Sequence, residues 1–168
     1  MQYILAFLLL TMPQGFVRLS VTSEKEYFNL CLPLSLIEYT DMFMKGGEGV
    51  GEGLKDVELH IGDTLINVDT EEEKMLMVVV GKDKILERGE KNLEWFRAEI
   101  EDKKNGKATI KIPLWAFKLL SKFGVNIMNE LDTAFLNALA ESIKEMGGGR
   151  YRFLEIRDRE SSIDIYVE

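Results

Sequence analysis

The sequence predicts an α+β fold made of two pseudo-repeated hairpin–helix–hairpin units, in which antiparallel strands pack against short helices. Three observations lead to this prediction. Runs of alternating apolar and polar residues flank short charged turns, as they do in β-hairpins. A short motif occurs twice, as Leu-Cys-Leu-Pro-Leu at residues 30–34 and as Ile-Lys-Ile-Pro-Leu at residues 110–114. Finally, 46% of the 168 residues are hydrophobic, which is enough for a sizeable core.

The first unit opens with a predicted hairpin. Alternating runs at residues 17–21 and 28–32 flank a charged turn. Pro33 has no N–H to donate, and its φ suits the first position of a helix, so we expect the strand to end there. The apolar spacing after it predicts a helix over residues 34–44. Alternation on both sides of a second charged turn predicts a closing hairpin over residues 66–78.

The second unit repeats this order with a larger helical part. Residues 96–100 and 108–112 alternate around an Asn-Gly turn, and Pro113 precedes a short apolar helix. A second helix is predicted over residues 132–146, before a closing hairpin at residues 154–166. The predicted buried face of this second helix consists of Phe135, Leu136, Leu139, Ile143 and Met146.

The chain is divided by these patterns into an apolar N-terminal segment, residues 1–15, and two units, residues 16–88 and 89–168. Residues 3–10 are a continuous apolar run, too short for the roughly 20 residues of a membrane span. The run also lacks the positive start and small-residue cleavage site of a secretory signal. We therefore expect a cytoplasmic protein whose N-terminal run packs on its own domain or on a twin subunit. A start of translation at Met12, export and membrane association stay open.

Charge and the rare reactive residues exclude several classes of function. The formal net charge is −8, and the lysines are interleaved with acidic residues, so nucleic acid is not an expected partner. The single cysteine, Cys31, excludes an intramolecular disulfide and, between two leucines, is predicted to be a buried apolar residue. The single histidine, His60, lacks the further ligands that a zinc site needs and is predicted to be a surface residue.

A glycine-rich segment is the most unusual motif of the first unit. No Lys-Ser or Lys-Thr follows it as in a P-loop, and Glu48 and Glu52 would repel a phosphate. We therefore predict a flexible loop without a bound anion. Its glycines are Gly46, Gly47, Gly49, Gly51 and Gly53.

Two further groups of residues suggest a site without completing one. Four carboxylates fall within residues 69–73, but the run lacks the spacing and the glycine of a calcium loop, so it is predicted to be a solvated hairpin tip. Trp95, Trp115 and Phe117 are candidate aromatics at the junction of the two units. Aromatics in these positions belong either to the core or to a ligand pocket, and the core is the favoured interpretation.

The order of elements in residues 95–168 resembles the SHOCT-like domain family. The resemblance depends on Ile-Pro-Leu at residues 112–114, the helix around residues 139–143 and the acidic-tipped last strand, residues 163–168. It is partial over residues 16–80. The family offers no catalytic residues to transfer, so the resemblance implies a binding or self-assembling module, with a regulatory or envelope-stress role.

These observations favour a non-enzymatic interaction or self-assembly module. No catalytic residue, cofactor or metal site is expected, and the expected partner is a protein, either a second copy or another chain. We expect a homo-oligomer and two units related by a pseudo-twofold axis. The alternative is a small-ligand-binding or enzymatic protein with a pocket at the junction of the two units and the glycine-rich segment as its lid.

Overall fold

The computed structural model describes residues 15–43, 49–87, 93–116 and 133–168. In these ranges the strands are β1 (Gly15–Ser23), β2 (Tyr27–Pro33), β3 (Thr64–Asp69), β4 (Glu73–Gly81), β5 (Trp95–Asp102), β6 (Gly106–Pro113), β7 (Tyr151–Arg157) and β8 (Ser161–Val167). The helical elements with bounds in these ranges are two α-helices, α1 (Val50–Leu54) and α2 (Thr133–Glu145), and two 3-10 segments, Leu34–Met42 and Lys82–Lys84, and residues 114–116 are also helical. The eight described strands form one antiparallel sheet in the order β3-β4-β1-β2-β7-β8-β5-β6.

The predicted α+β class is wrong. Across the described ranges a single eight-stranded antiparallel sheet dominates and helices are the minor part, so the fold is β-rich rather than a pair of hairpin–helix–hairpin units. The four predicted hairpins are present as β1–β2, β3–β4, β5–β6 and β7–β8. The prediction lacked the pairing of β2 with β7, which joins residues of both predicted units in one sheet. Alternation identifies the buried face of a strand but does not identify the strand beside it.

The two halves of the sheet have the same internal order, β3-β4-β1-β2 and β7-β8-β5-β6. Because all neighbouring pairs are antiparallel, the odd-numbered strands run one way and the even-numbered strands the other way. The halves are therefore related by a displacement along the sheet. The predicted pseudo-twofold axis is wrong. Such an axis would pair β2 with β6, its counterpart in the second half, whereas β2 pairs with β7, the counterpart of β3.

The strand registers of the two halves also correspond. In the first half, Met77 on β4 lies between Leu19 and Ile66, and in the second half Ile165 on β8 lies between Ala98 and Leu154. The closing hairpins share an irregularity as well, since the register shifts between Thr64 and Ile66 and between Arg152 and Leu154. A shared β-bulge is a specific feature, because bulges redirect a strand at a defined point.

The core lies on one face of the sheet. A row of apolar side chains crosses its six inner strands, and α2 packs on that face through Phe135, whose ring centroid lies 5.0 Å from that of Tyr39 and 6.4 Å from that of Phe153. The predicted face of α2 is confirmed, with four of its residues buried and Met146 packed against the core. Cys31 is also buried as predicted, although it follows Leu30 in β2 and so lies on the opposite face beside Arg18, and burial raises the pKa of its thiol. The row consists of Met77, Leu19, Leu30, Leu154, Ile165 and Ala98.

The tight turns of the four hairpins all lie at one rim of the sheet, because each follows an odd-numbered strand. Short polar side chains stabilise them. Asp102 accepts hydrogen bonds from the N–H groups of Lys104 and Asn105, both at 2.8 Å. Asp158 accepts hydrogen bonds from the hydroxyl and the N–H of Ser161, both at 2.7 Å, and these bonds lower the pKa of its carboxyl.

Several predicted features lie outside the described residues. They are the N-terminal run at residues 3–10, Gly46, Gly47, Phe117 and most of the helix predicted after Pro113. Among the helices that the structure describes, none has the length and apolar character needed to cross a membrane. The boundaries of the predicted units stay a prediction.

We expect Tyr151→Phe to leave the free energy of unfolding at pH 7 unchanged or to raise it by about 1 kcal/mol. Tyr151 is fully buried, and its hydroxyl has no hydrogen-bond partner in the described part of the chain, so the substitution removes an unsatisfied polar group. Urea unfolding of both proteins measures this. A loss above about 1 kcal/mol would show that the hydroxyl is hydrogen-bonded.

The same variant tests how the free energy of unfolding depends on pH in alkaline solution. Burial raises the pKa of Tyr151 well above its ordinary value. The neutral hydroxyl therefore contributes stability that is present below the ordinary tyrosine pKa of about 10 and is lost as the pH rises toward the folded value. Above about pH 10 we expect the wild-type protein to lose more stability than the Tyr151→Phe variant does.

Candidate functional site

The two edges of the described sheet are β3 and β6. Residues 106–111 of β6 are all exposed, and so are most residues of β3. Two aliphatic side chains remain unusually accessible there, Ile110 with 47% and Val68 with 46% exposure. Edge strands present backbone N–H and C=O groups that a further strand can pair with, so both edges are candidate interaction surfaces.

Charged side chains accompany both edges. On β6, Lys107 Nζ lies 3.0 Å from a carboxylate oxygen of Glu101. On β3, Asp69 is 3.4 Å from the Nζ of Lys74. All four groups are more than half exposed, and exposed ion pairs are weak, so they are free to exchange partners.

The polar face of the sheet carries a closed ionic network on β7 and β8. Arg152 donates a hydrogen bond to Asp164 at 2.9 Å and lies 3.0 Å from Glu155. Arg157 donates hydrogen bonds to Glu155 at 2.7 Å and to Asp164 at 3.1 Å. Each nearly buried carboxylate is held by two guanidinium groups. This arrangement satisfies both charges and leaves neither carboxylate placed as a general base.

A second polar cluster lies beside this network. The guanidinium groups of Arg97 and Arg150 lie 4.8 Å and 4.5 Å from the ring centroid of Tyr166. Glu168 is within 3.3–3.5 Å of both arginines and of Lys111. The cluster ties β8 to the neighbouring strands through ion pairs and cation–π contacts.

The predicted junction aromatics Trp95 and Trp115 line an open groove of about 410 Å³, and they are 38% and 69% exposed rather than buried in the core. The groove lies between α2 and the ends of β5 and β6, and its described lining residues all belong to the second half of the chain. The described residues of its lining include no Ser, Cys or His, and Lys144 Nζ lies 3.3 Å from a carboxylate oxygen of Glu141. The lining is Leu93, Glu94, Trp95, Pro113, Leu114, Trp115, Asn137, Ala140, Glu141 and Lys144.

The described glycines of the glycine-rich segment belong to a short helix and its cap. Gly49 precedes α1 with a φ of 87°, and Gly51 and Gly53 lie within α1. The carboxylate of Asp41 accepts hydrogen bonds from the N–H groups of Gly49 at 3.1 Å, Gly51 at 2.7 Å and Glu52 at 3.3 Å. These backbone donors are therefore occupied by a carboxylate of the same chain.

The remaining candidates are surface residues. His60 is mostly exposed, between Glu58 and Asp63 at 3.3 Å and 3.6 Å. Residues 69–73 form the exposed tip of the β3–β4 hairpin, as predicted. Within the described ranges no group of three His, Cys, Asp or Glu residues is placed to hold a metal ion.

No protein-family model, curated protein or solved structure matches the chain. The resemblance of residues 95–168 to SHOCT-like domains stays a prediction.

The sequence reasoning missed the two sheet edges. The alternation over residues 108–112 places Ile110 on the core face, opposite Ala98. It remains exposed because β6 is the last strand of the described sheet. The available signal was weak: β6 alternates lysines with apolar residues, as edge strands often do.

We expect Gly51→Ala to destabilise the protein by about 1–3 kcal/mol. A methyl group at residue 51 would lie 2.6 Å from the carbonyl oxygen of Ile37 and from the hydroxyl of Thr40. Gly53→Ala is the matched control, since it lies in the same helix with nothing within 4 Å, and it should be neutral or stabilising by up to about 1 kcal/mol. Thermal melting of both variants tests the difference, and equal melting temperatures would show that α1 does not pack as described.

Proposed function

We propose that the protein is a non-enzymatic interaction module that binds a protein partner by adding a strand to β6. The observation that carries the proposal is the accessibility of this edge: residues 106–111 are all exposed, and the side chain of Ile110 is 47% exposed to solvent. In strand addition, main-chain hydrogen bonds supply affinity, and alternating side chains supply specificity.

The side chains of β6 define the chemistry of the partner strand. Ala108 and Ile110 lie on the core face, in register with Ile100 and Ala98. Lys107, Thr109 and Lys111 lie on the polar face. A complementary strand would therefore be apolar on one side and polar or acidic on the other.

The other candidate surfaces support this proposal less well. The ionic networks of the polar face are closed, and the junction of the two halves is the backbone pairing of β2 with β7 rather than a pocket between separate units. The alternative, a small-ligand or enzymatic role, would find a groove beside Trp95 and Trp115, but the described residues that line it include no nucleophile–base pair. A cytoplasmic location is part of the proposal.

A ten-residue peptide of alternating valine and glutamate, blocked at both ends, tests strand addition to β6. We expect backbone amide shifts and slowed amide exchange confined to β6 when the peptide is added to dilute protein and followed by NMR. The valine–lysine peptide of equal length should bind more weakly, because Lys107 and Lys111 repel it. Binding of the acidic peptide elsewhere, or equal binding of both peptides, would contradict the proposal.

Ile110→Ser should weaken binding of the acidic peptide roughly ten-fold or more, because the apolar contact is lost with no change of charge. Val57→Ser is the matched control, since Val57 is 52% exposed and lies outside the strands. Both variants should melt close to the unvaried protein because both positions are exposed. Equal affinities of the two variants would show that Ile110 is not part of the contact.

A further inference from the structure

We infer that the strand received by β6 is β3 of a second copy of this chain, so that copies join head to tail through the edges of their sheets. The inference rests on the proposed function, because it names the partner of the same edge. It follows from the sheet order, since the chain already contains one junction of this kind.

The internal junction is the pairing of β2 with β7. The first half of the sheet has the order β3-β4-β1-β2, and the second half has the order β7-β8-β5-β6. The last strand of the first half is therefore β2, and the last strand of the second half is β6. Likewise, the first strand of the first half is β3, and the first strand of the second half is β7. A β6–β3 contact between copies would therefore repeat the internal β2–β7 contact. The strand directions agree, because β6 runs with β2 and β3 runs with β7, so the new pair is antiparallel as well.

The internal register specifies the register between copies. Leu30 pairs with Leu154 across the internal junction. The counterpart of Leu30 is Ile110, because they pair with Leu19 and Ala98 at equivalent places in the two halves. The counterpart of Leu154 is Ile66, as the shared bulge shows. The transferred pairs are Ile110 with Ile66, Thr109 with Asn67, Ala108 with Val68 and Lys107 with Asp69.

These pairs are chemically complementary at every position. On the core face, Ile110 meets Ile66 and Ala108 meets Val68, which covers the two most accessible aliphatic side chains of the edges, Ile110 and Val68. On the polar face, Lys107 meets Asp69 with opposite charge, and Thr109 meets Asn67 with hydrogen-bonding groups on both sides. Cross-strand pairs of these types stabilise sheets. The apolar row of the core would continue from one copy into the next.

The contact uses different surfaces on the two partners, and each copy keeps one free edge. Such heterologous contacts produce open chains or rings of copies rather than closed twofold dimers. We therefore expect a concentration-dependent series of oligomers in analytical ultracentrifugation.

Charge exchange tests the register. Lys107→Glu places Glu opposite Asp69, and Asp69→Lys places Lys opposite Lys107, so each variant alone should associate up to about five-fold more weakly per contact than the unvaried protein. An equimolar mixture should regain association, because both contacts in an alternating chain then join opposite charges. Glu24→Lys, at an exposed turn position, is the control for net charge. Variants that associate as the unvaried protein does, or a mixture that regains nothing, would overturn the inference.

Disulfide trapping gives an independent test. Thr109→Cys combined with Asn67→Cys places thiols directly opposite each other between copies, at a separation that suits a disulfide. Mild oxidation should give a ladder of covalent oligomers. Thr109→Cys combined with Asp69→Cys is out of register and should give much less. Efficient dimers from Thr109→Cys alone would indicate a β6–β6 contact and overturn the head-to-tail arrangement.

The outcomes separate this inference from the proposed function. If the acidic peptide binds β6 but the chain stays monomeric at high concentration, the partner is another protein and the inference is wrong. If neither binding nor association occurs, both fail. Amides of β6 that are all protected in dilute protein would show that the chain covers its own edge, which also overturns both.

Discussion

The backbone pairing of β2 with β7 holds this molecule together. It joins the half β3-β4-β1-β2 to the half β7-β8-β5-β6 and so makes one continuous sheet. Without this pairing, each half would have a further exposed edge strand, and the apolar row would be interrupted between Leu30 and Leu154. With it the row runs uninterrupted across the inner strands, and Leu30 and Leu154 meet directly at the seam.

The two faces of the sheet have different physical roles. The core face is apolar and gains from burial under α2 and the 3-10 segment Leu34–Met42. The polar face fixes neighbouring strands through charge, since Glu155 and Asp164 are nearly buried and each is held by Arg152 and Arg157. Removing one partner would leave an uncompensated charge, so this network holds β7 and β8 together.

Local structure was predictable from the sequence to a large extent. Alternation and turn residues gave the four hairpins, and 3.6-residue spacing gave the buried face of α2, including Leu139. The single cysteine was correctly predicted as buried. These features depend on side-chain patterns a few residues long, which is the range over which one sequence is informative.

The long-range arrangement was not predictable in the same way. The β2–β7 pairing consists of backbone hydrogen bonds that any two strands can make, so no residue type marks it. The exposure of Ile110 follows from that order, since the same residue on an inner strand would be buried. The exposure of the two tryptophans was not predicted for a related reason. Trp95 is the first residue of β5 and Trp115 follows the end of β6, so both lie at the open end of the β5–β6 hairpin, where they stay exposed.

Because all four hairpin turns lie at one rim, we expect the strands to be less stable to local unfolding at that rim than at the opposite one. Burial falls toward the turns: Phe28 and Ile156 next to the rim are half-buried, whereas Leu30 and Leu154 one step inward are buried. Local opening should therefore begin at the turns and proceed toward the helices, as a gradient of amide exchange along every strand at once. The rim is also the place where extra sequence could be added to this protein without disturbing its core or either edge.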